Sequence, residues 1–101
     1  IIRLIKTTVD AAHARKVWVS VCGEMAGDPV FAPLLIGLGV DELSVTPGAV
    51  PLVKEVVRRL RLSEARALAE AARSLSSGAE VLELCRTLVR RIAPEILELA
   101  E

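Results

Sequence analysis

The order of apolar patterns along the chain predicts an α/β fold made of parallel β/α units. Three observations carry this. Two β-branched runs, at residues 17–22 and 42–46, are each followed by a Gly- or Pro-marked break and then by a helical stripe. Strands that alternate with helices are the pattern of parallel crossover units. The remainder of the chain reads as helix only. Apolar residues make up 52% of the 101 residues and charged residues 26%, which supports a buried core and excludes a disordered tail.

Residues 1 to about 15 read as a helix. Ile2, Ile5, Val9 and Ala12 fall at helical spacing, and Ile1, Leu4 and Ala11 widen the stripe. His13, Arg15 and Lys16 gather at its end, where positive charge suits the helix dipole. Residues 17–22, Val-Trp-Val-Ser-Val-Cys, read as a strand. Val17, Val19 and Val21 share one face, expected to meet the helices, while Trp18, Ser20 and Cys22 share the other. Residues 23–28 read as a loop, because Gly23 and Gly27 permit unusual backbone angles. Asp28-Pro29 reads as a helix start, an N-cap residue followed by Pro at the first helical position. Pro33 must sit in the first turn of that helix or distort it, so a later start is the other reading. Its end is expected near Gly37 or Gly39.

Residues 42–46 form the second strand, with Leu43 and Val45 on the helix side and Glu42, Ser44 and Thr46 opposite. Pro47-Gly48 breaks the run. A helix follows with Pro51 in its first turn and a stripe of Leu52, Val53, Val56, Val57 and Leu60. Ser63 is expected to cap the next helix, whose buried side is Ala65, Leu68, Ala69 and Ala72. Ser77-Gly78-Ala79-Glu80 has the form of a capping box opening a helix with Val81, Leu82, Leu84, Cys85, Leu88, Val89 and Ile92. Pro94 ends or kinks it, and Ile96, Leu97 and Leu99 continue as a last helical piece. Two strands do not make a stable parallel sheet, since such sheets carry helices on both faces and need more neighbours. The order fits the closing units of a barrel, or of an open α/β sheet, whose earlier strands are missing. The chain opens on Ile1 rather than Met, directly into an amphipathic pattern, and is expected to be a piece of a longer protein.

Composition narrows the function. Thirteen Lys and Arg balance thirteen Asp and Glu, which argues against a nucleic-acid binder with its usual basic surplus. Two cysteines are too few for a disulfide framework, so a reduced, cytoplasmic chain is expected. The uncharged stretch between Asp28 and Asp41 holds Pro and Gly and is shorter than the roughly 20 residues a bilayer needs. No membrane insertion is expected.

Cys22 is the first candidate for chemistry. It ends a strand where a Gly-rich segment begins, and in parallel α/β folds active sites assemble at that end. A helix N-terminus favours a thiolate, and the neighbouring Glu24 opposes it. A free thiol, with a pKa of about 8.5, is mostly protonated at neutral pH and can donate a proton. On strand position alone, a small buried apolar residue is the more ordinary role. Glu24 and Asp28 together could bind a metal or act as acid and base, but with no third ligand in range the simpler reading is a helix cap and a solvated carboxylate. His13 reads as a surface residue and Cys85 as core. Arg58, Arg59, Arg61, Arg90 and Arg91 are interleaved with glutamates and read as solvated helix faces. No CxxC, HExxH, P-loop or GxSxG is present.

The run Val21-Cys22-Gly23-Glu24-Met25-Ala26-Gly27-Asp28-Pro29 closely resembles the active-site cysteine motif of the phosphoenolpyruvate–protein phosphotransferases, the Enzyme I family of the bacterial sugar phosphotransferase system. Leu34-Leu35-Ile36-Gly37-Leu38-Gly39-Val40-Asp41-Glu42-Leu43-Ser44-Val45 resembles the next strand of that family, and the closing helices are similar to its C-terminal end. The resemblance covers essentially the whole chain. It implies that residues 1–101 are the C-terminal part of a (β/α)8 TIM barrel, strands seven and eight with their helices plus extra C-terminal helices. It also implies binding of phosphoenolpyruvate and Mg2+, a homodimer, and passage of the phosphoryl group to a histidine in an N-terminal domain and on to the carrier HPr. By the same resemblance Cys22 is the catalytic residue that protonates the enolate of pyruvate. The family's phospho-accepting histidine, phosphate-holding arginines and magnesium carboxylates have no counterpart here, and His13 does not match that histidine. Pyruvate phosphate dikinase and phosphoenolpyruvate synthase use a similar cysteine, but with a loop that differs from Glu-Met-Ala-Gly-Asp. The nitrogen-regulatory paralogue is nearly indistinguishable over these residues. A reading from another class is a non-catalytic helical dimerisation module.

Overall fold

A computed structural model describes residues 1–100, the side chain of Ala100 excepted; Glu101, the last residue of the expected domain, lies outside them. The element order is α1 (Ile2–Ala14), β1 (Ser20–Val21), α2 (Glu24–Gly27), α3 (Ala32–Gly37) and β2 (Glu42–Leu43), then a 3-10 turn at Pro47–Ala49, α4 (Val50–Arg59), α5 (Leu62–Arg73), α6 (Gly78–Ile92) and α7 (Pro94–Ala100). The two strands pair in parallel, Ser20 with Glu42 and Val21 with Leu43. The fold is thus mostly helical around one small parallel sheet.

Helix α3 is the hub. Its first turn tolerates Pro33, whose missing N–H would have no partner there anyway. Leu34 and Leu35 are both 0% exposed and serve different clusters. Leu34 packs with Val56, Leu68, Ala72, Cys85 and Val89 of the helical half. Leu35 packs with Val9 and Val40, against which Val19, Val21 and Leu43 of the strands lie. At Gly37 the chain meets α5 so closely that a Cβ would land on the Ala65 carbonyl and 3.0 Å from the Ala69 side chain. Gly39 ends the helix with φ +98, a left-handed value that favours glycine. The Gly39 N–H donates to the Ile36 carbonyl at 3.0 Å and the Val40 N–H to the Leu35 carbonyl at 3.1 Å, the two bonds of a Schellman motif. Gly37 and Gly39 therefore do different jobs: one allows packing, the other stops the helix.

Several expectations are corrected. Both strands are shorter than the runs that predicted them, because ladder pairing covers only Ser20–Val21 and Glu42–Leu43. The segment 23–28 is not all loop: Glu24–Gly27 forms one helical turn. Asp28 does not cap α3. It closes a local turn in which its carboxylate accepts from the Val30 N–H at 3.0 Å and its carbonyl from the Phe31 N–H at 3.0 Å. The later start, with Pro33 in the first turn, is the one observed. Ser63 does not cap α5 either: Arg61 stands at the N-cap, and Glu64 accepts from the Arg61 N–H at 3.1 Å. At α6 the Ser77 hydroxyl accepts from the Glu80 N–H at 3.2 Å as expected, but Glu80 returns to the Ser76 and Ser77 hydroxyls rather than to backbone. Val17 is 53% exposed instead of facing a helix, since it precedes the paired part of β1. The stripe of α5 is buried as expected; in α6 Val81, Cys85, Leu88 and Val89 are buried, while Leu82, Leu84 and Ile92 are half-buried.

Candidate active site

Because β1 and β2 run parallel, their C-terminal ends lie at one edge of the molecule. The first strand delivers Cys22 there. Its thiol is free and exposed, so it is not the small core residue that strand position alone favoured. Gly23 follows with φ +94 and nothing within 4 Å of a Cβ built on it, so glycine is required there by backbone angle and not by crowding. That turn leads straight into α2 and places Glu24 beside the strand end. The second strand delivers Ser44, Val45 and Thr46. Between the two strand ends opens a cleft of about 800 Å³ lined by Gly23, Glu24, Asp28, Ser44 and Thr46, with Leu52 and Leu99 as apolar walls. Leu99 belongs to α7, so the last helix reaches the cleft that the first strand begins.

The exposed face of the sheet alternates as the pleat requires. Ser20, Cys22, Glu42, Ser44 and Thr46 are exposed, while Val19, Val21, Leu43 and Val45 are half-buried against the helices. Across that face the Ser20 hydroxyl donates to a Glu42 carboxylate oxygen at 3.1 Å. Glu24 and Asp28 both border the cleft, yet no group of three or more His, Cys, Asp or Glu that could hold a metal exists among the described residues.

The sequence predicts a lone surface residue at His13. It is exposed, but its Nε2 lies 2.7 Å from Asp41 Oδ2, and the same oxygen accepts from the Val19 N–H at 2.9 Å. The His13 hydrogen bond first, and the Val19 N–H second, hold the Asp41 carboxyl below its ordinary value. This cluster stands where α1 and α3 hand over to the strands, at the end opposite Cys22. No local signal in the sequence links the two, since 28 residues separate them. Cys85 is 0% exposed, and burial raises its thiol pKa to about 11, which makes it the packing residue expected. The arginines lie on exposed helix faces as expected, and two of them pair there, Arg58 with Glu55 at 3.0 Å and Arg91 with Glu64 at 2.7 Å. Arg59 does more than decorate a face: it joins Glu55 on its own helix to Glu95 of α7.

The family model for the PEP-binding domain of PEP-utilising enzymes matches residues 1–62. The chain belongs to this family. The matched range holds both strands and every cleft residue named above except Leu99. Curated relatives extend the likeness into the helical half. The chain is 44% identical over 84 residues to the phosphoenolpyruvate-protein phosphotransferase of Listeria monocytogenes, covering 83% of this chain and 15% of that protein. It is 46% identical, with the same coverage, to the protein of that name from Haloferax volcanii. A multiphosphoryl transfer protein of Xanthomonas campestris is 45% identical over 83% of this chain and 10% of its own length. The chain thus spans about 15% of the length of the phosphotransferases it matches. Among the described residues, no helix is long and apolar enough to cross a membrane.

Proposed function

We propose that residues 1–101 are the C-terminal part of the phosphoenolpyruvate-binding domain of a phosphoenolpyruvate–protein phosphotransferase, with Cys22 as proton donor. The supporting observation is the exposed Cys22 thiol at the C-terminal end of a parallel strand, next to the cleft that Gly23 and Glu24 line. In the reaction the phosphoryl group leaves phosphoenolpyruvate for an enzyme histidine outside this chain and passes on to HPr. The enolate left behind takes the thiol proton at its methylene carbon: the S–H bond breaks, a C–H bond forms, and pyruvate and a thiolate result. An exposed thiol next to the cleft is accessible to substrate; a core thiol such as Cys85 is not. The names of the relatives favour this reading over the dikinase and synthase.

In the parent protein, β1 and β2 stand as the closing strands of a (β/α)8 barrel, whose active sites form at the strand C-terminal ends. Mg2+ serves the parent by neutralising phosphoryl charge. On this reading the carboxylates that would hold it belong to the earlier strands of the parent. The parent is a cytoplasmic homodimer that meets neither nucleic acid nor membrane.

The test is Cys22→Ala in the full-length protein. Conversion of phosphoenolpyruvate to pyruvate is expected to fall by about 10²–10⁴-fold, the range for losing a general acid. Phosphoenolpyruvate binding, measured by calorimetry, is expected to change little, since the proton moves only in the transition state. Unchanged turnover would refute the assignment.

A further inference from the structure

We infer that Ser20 and Glu42 act as a positioning pair for Cys22. The inference rests on the proton-donor reading and adds two residues to it. Cys22 lies just past the last paired residue of β1, Val21. Its place is therefore set by how β1 is held against β2 in the residues before it. The backbone ladder there is brief: the Glu42 N–H donates to the Val19 carbonyl at 3.2 Å and the Ser44 N–H to the Val21 carbonyl at 2.9 Å. On the exposed face that carries Cys22, the one cross-strand side-chain bond given by the described residues is Ser20 to Glu42 at 3.1 Å, between residues directly opposite in the register.

The acceptor in that bond is a carboxylate, which makes it stronger than a hydroxyl-to-amide bond of the same length. Ser20 is two residues from Cys22 along one strand, so both project from the same side of the pleat. Continuing the register sets Ser44 opposite Cys22, one step beyond the pair. Fixing Ser20 to Glu42 thus fixes the last point before the thiol on the face where the chemistry occurs. General-acid catalysis needs the donor within hydrogen-bond reach of the carbon it protonates. A displacement of about 1 Å is enough to slow such a step by about 100-fold.

The experiment uses the full-length protein with five variants: Ser20→Ala, Glu42→Ala, Glu42→Gln, Cys22→Ala and the double variant Ser20→Ala/Glu42→Ala. Ser20→Ala and Glu42→Ala are expected to lower kcat for phosphoenolpyruvate consumption by about 10- to 100-fold with KM within about twofold. Glu42→Gln keeps an oxygen acceptor for the Ser20 hydroxyl and is expected to recover most of kcat. The double variant Ser20→Ala/Glu42→Ala is expected to be no slower than the worse single one, since one bond is lost in each case. Ser20 is exposed, so its truncation leaves the core intact and keeps the test open should Glu42→Ala fail to fold. If Cys22→Ala abolishes turnover while Ser20→Ala leaves kcat within twofold, the positioning role is overturned and the proton-donor reading stands. If Cys22→Ala itself leaves turnover unchanged, the proton-donor reading falls and the positioning role with it. A loss of kcat that Glu42→Gln does not recover also overturns the inference, because the charge and not the acceptor would then matter.

Discussion

At the scale of single residues, the two cysteines show how position decides chemistry. Both are free, yet one opens to solvent at a strand end and the other is sealed between α3, α5 and α6. Burial, with a smaller contribution from the Asp28 charge, raises the Cys85 pKa from the ordinary 9.0 to about 11. In the unfolded chain the thiol ionises near its ordinary value, so between those two pH values the unfolded state has released a proton that the folded state keeps. Stability is full below the lower value and falls as pH rises through the window, by about 1.4 kcal/mol per pH unit from this group. Denaturant unfolding from pH 8 to 11 is expected to show this slope, and Cys85→Ala is expected to remove that part of it. An identical slope in the variant would show that Cys85 is not its source. Under native conditions a thiol reagent is expected to modify Cys22 at once and Cys85 only on unfolding, read by mass spectrometry.

At the scale of elements, α1 ends on an unfavourable residue. Lys16 has φ 59, a left-handed value outside glycine. The Lys16 N–H donates to the His13 carbonyl at 3.0 Å and the Val17 N–H to the Ala12 carbonyl at 2.9 Å, a Schellman end that glycine fits better. The left-handed conformation costs a residue with a Cβ about 1–2 kcal/mol, offset in part by the greater freedom of glycine in the unfolded chain. Lys16→Gly is therefore expected to raise stability by about 0.5–1 kcal/mol and Tm by a few degrees; a lower Tm would contradict it. The same helix is clipped to the strands by His13, Asp41 and the Val19 N–H. Because the folded Asp41 carboxyl sits below its unfolded value of 3.8, its contribution is present above that value and lost as pH falls through the folded one. Asp41→Asn is expected to be less stable than the parent chain at pH 7 and equal to it in strong acid. The elements themselves were largely legible in the sequence, because helical stripes such as Ala65, Leu68, Ala69 and Ala72 record which face is buried. Alternation of Val19 and Val21 likewise recorded the two faces of β1, and hence that of Cys22. What escaped reading depends on partners far along the chain or on segments too short to show a period. Strand length follows from the ladder, the Ser20–Glu42 pair follows from register, and His13–Asp41 joins residues with no local relation. The single turn of α2 spans too few residues to repeat any pattern, and the Asp28-Pro29 signal served a turn instead of a helix.

At the scale of the whole molecule, the helical half and the sheet half are not equally enclosed. The helical half closes on itself around Leu34, Val56, Cys85 and Val89, and Arg59 fastens α4 to α7 through Glu95. The sheet half has only two strands, so the outer edge of each carries backbone groups with no strand beside them among the described residues. Such edges invite pairing with other chains. Next to the paired part of β1 stand large apolar side chains in water: Trp18 at 80% exposure and Val17 at 53%. Large apolar groups left exposed beside an open sheet edge favour a face that another surface covers. In the proposed parent, the neighbouring barrel strands would cover it. The 101-residue chain alone is therefore expected to self-associate, and to lose ordered structure at the sheet before the helices. Sedimentation velocity over a hundredfold range of concentration is expected to show a rising mean mass. Hydrogen exchange is expected to find the amides of residues 17–22 and 41–46 exchanging well ahead of those in α5 and α6, since local opening needs little apolar area to be exposed there. Replacing Trp18 by Lys removes the largest exposed apolar group and adds an edge charge, so it is expected to shift the mass toward monomer without lowering Tm. A monodisperse wild-type chain with one sharp, concentration-independent unfolding transition would instead show that the two halves fold as a self-sufficient unit.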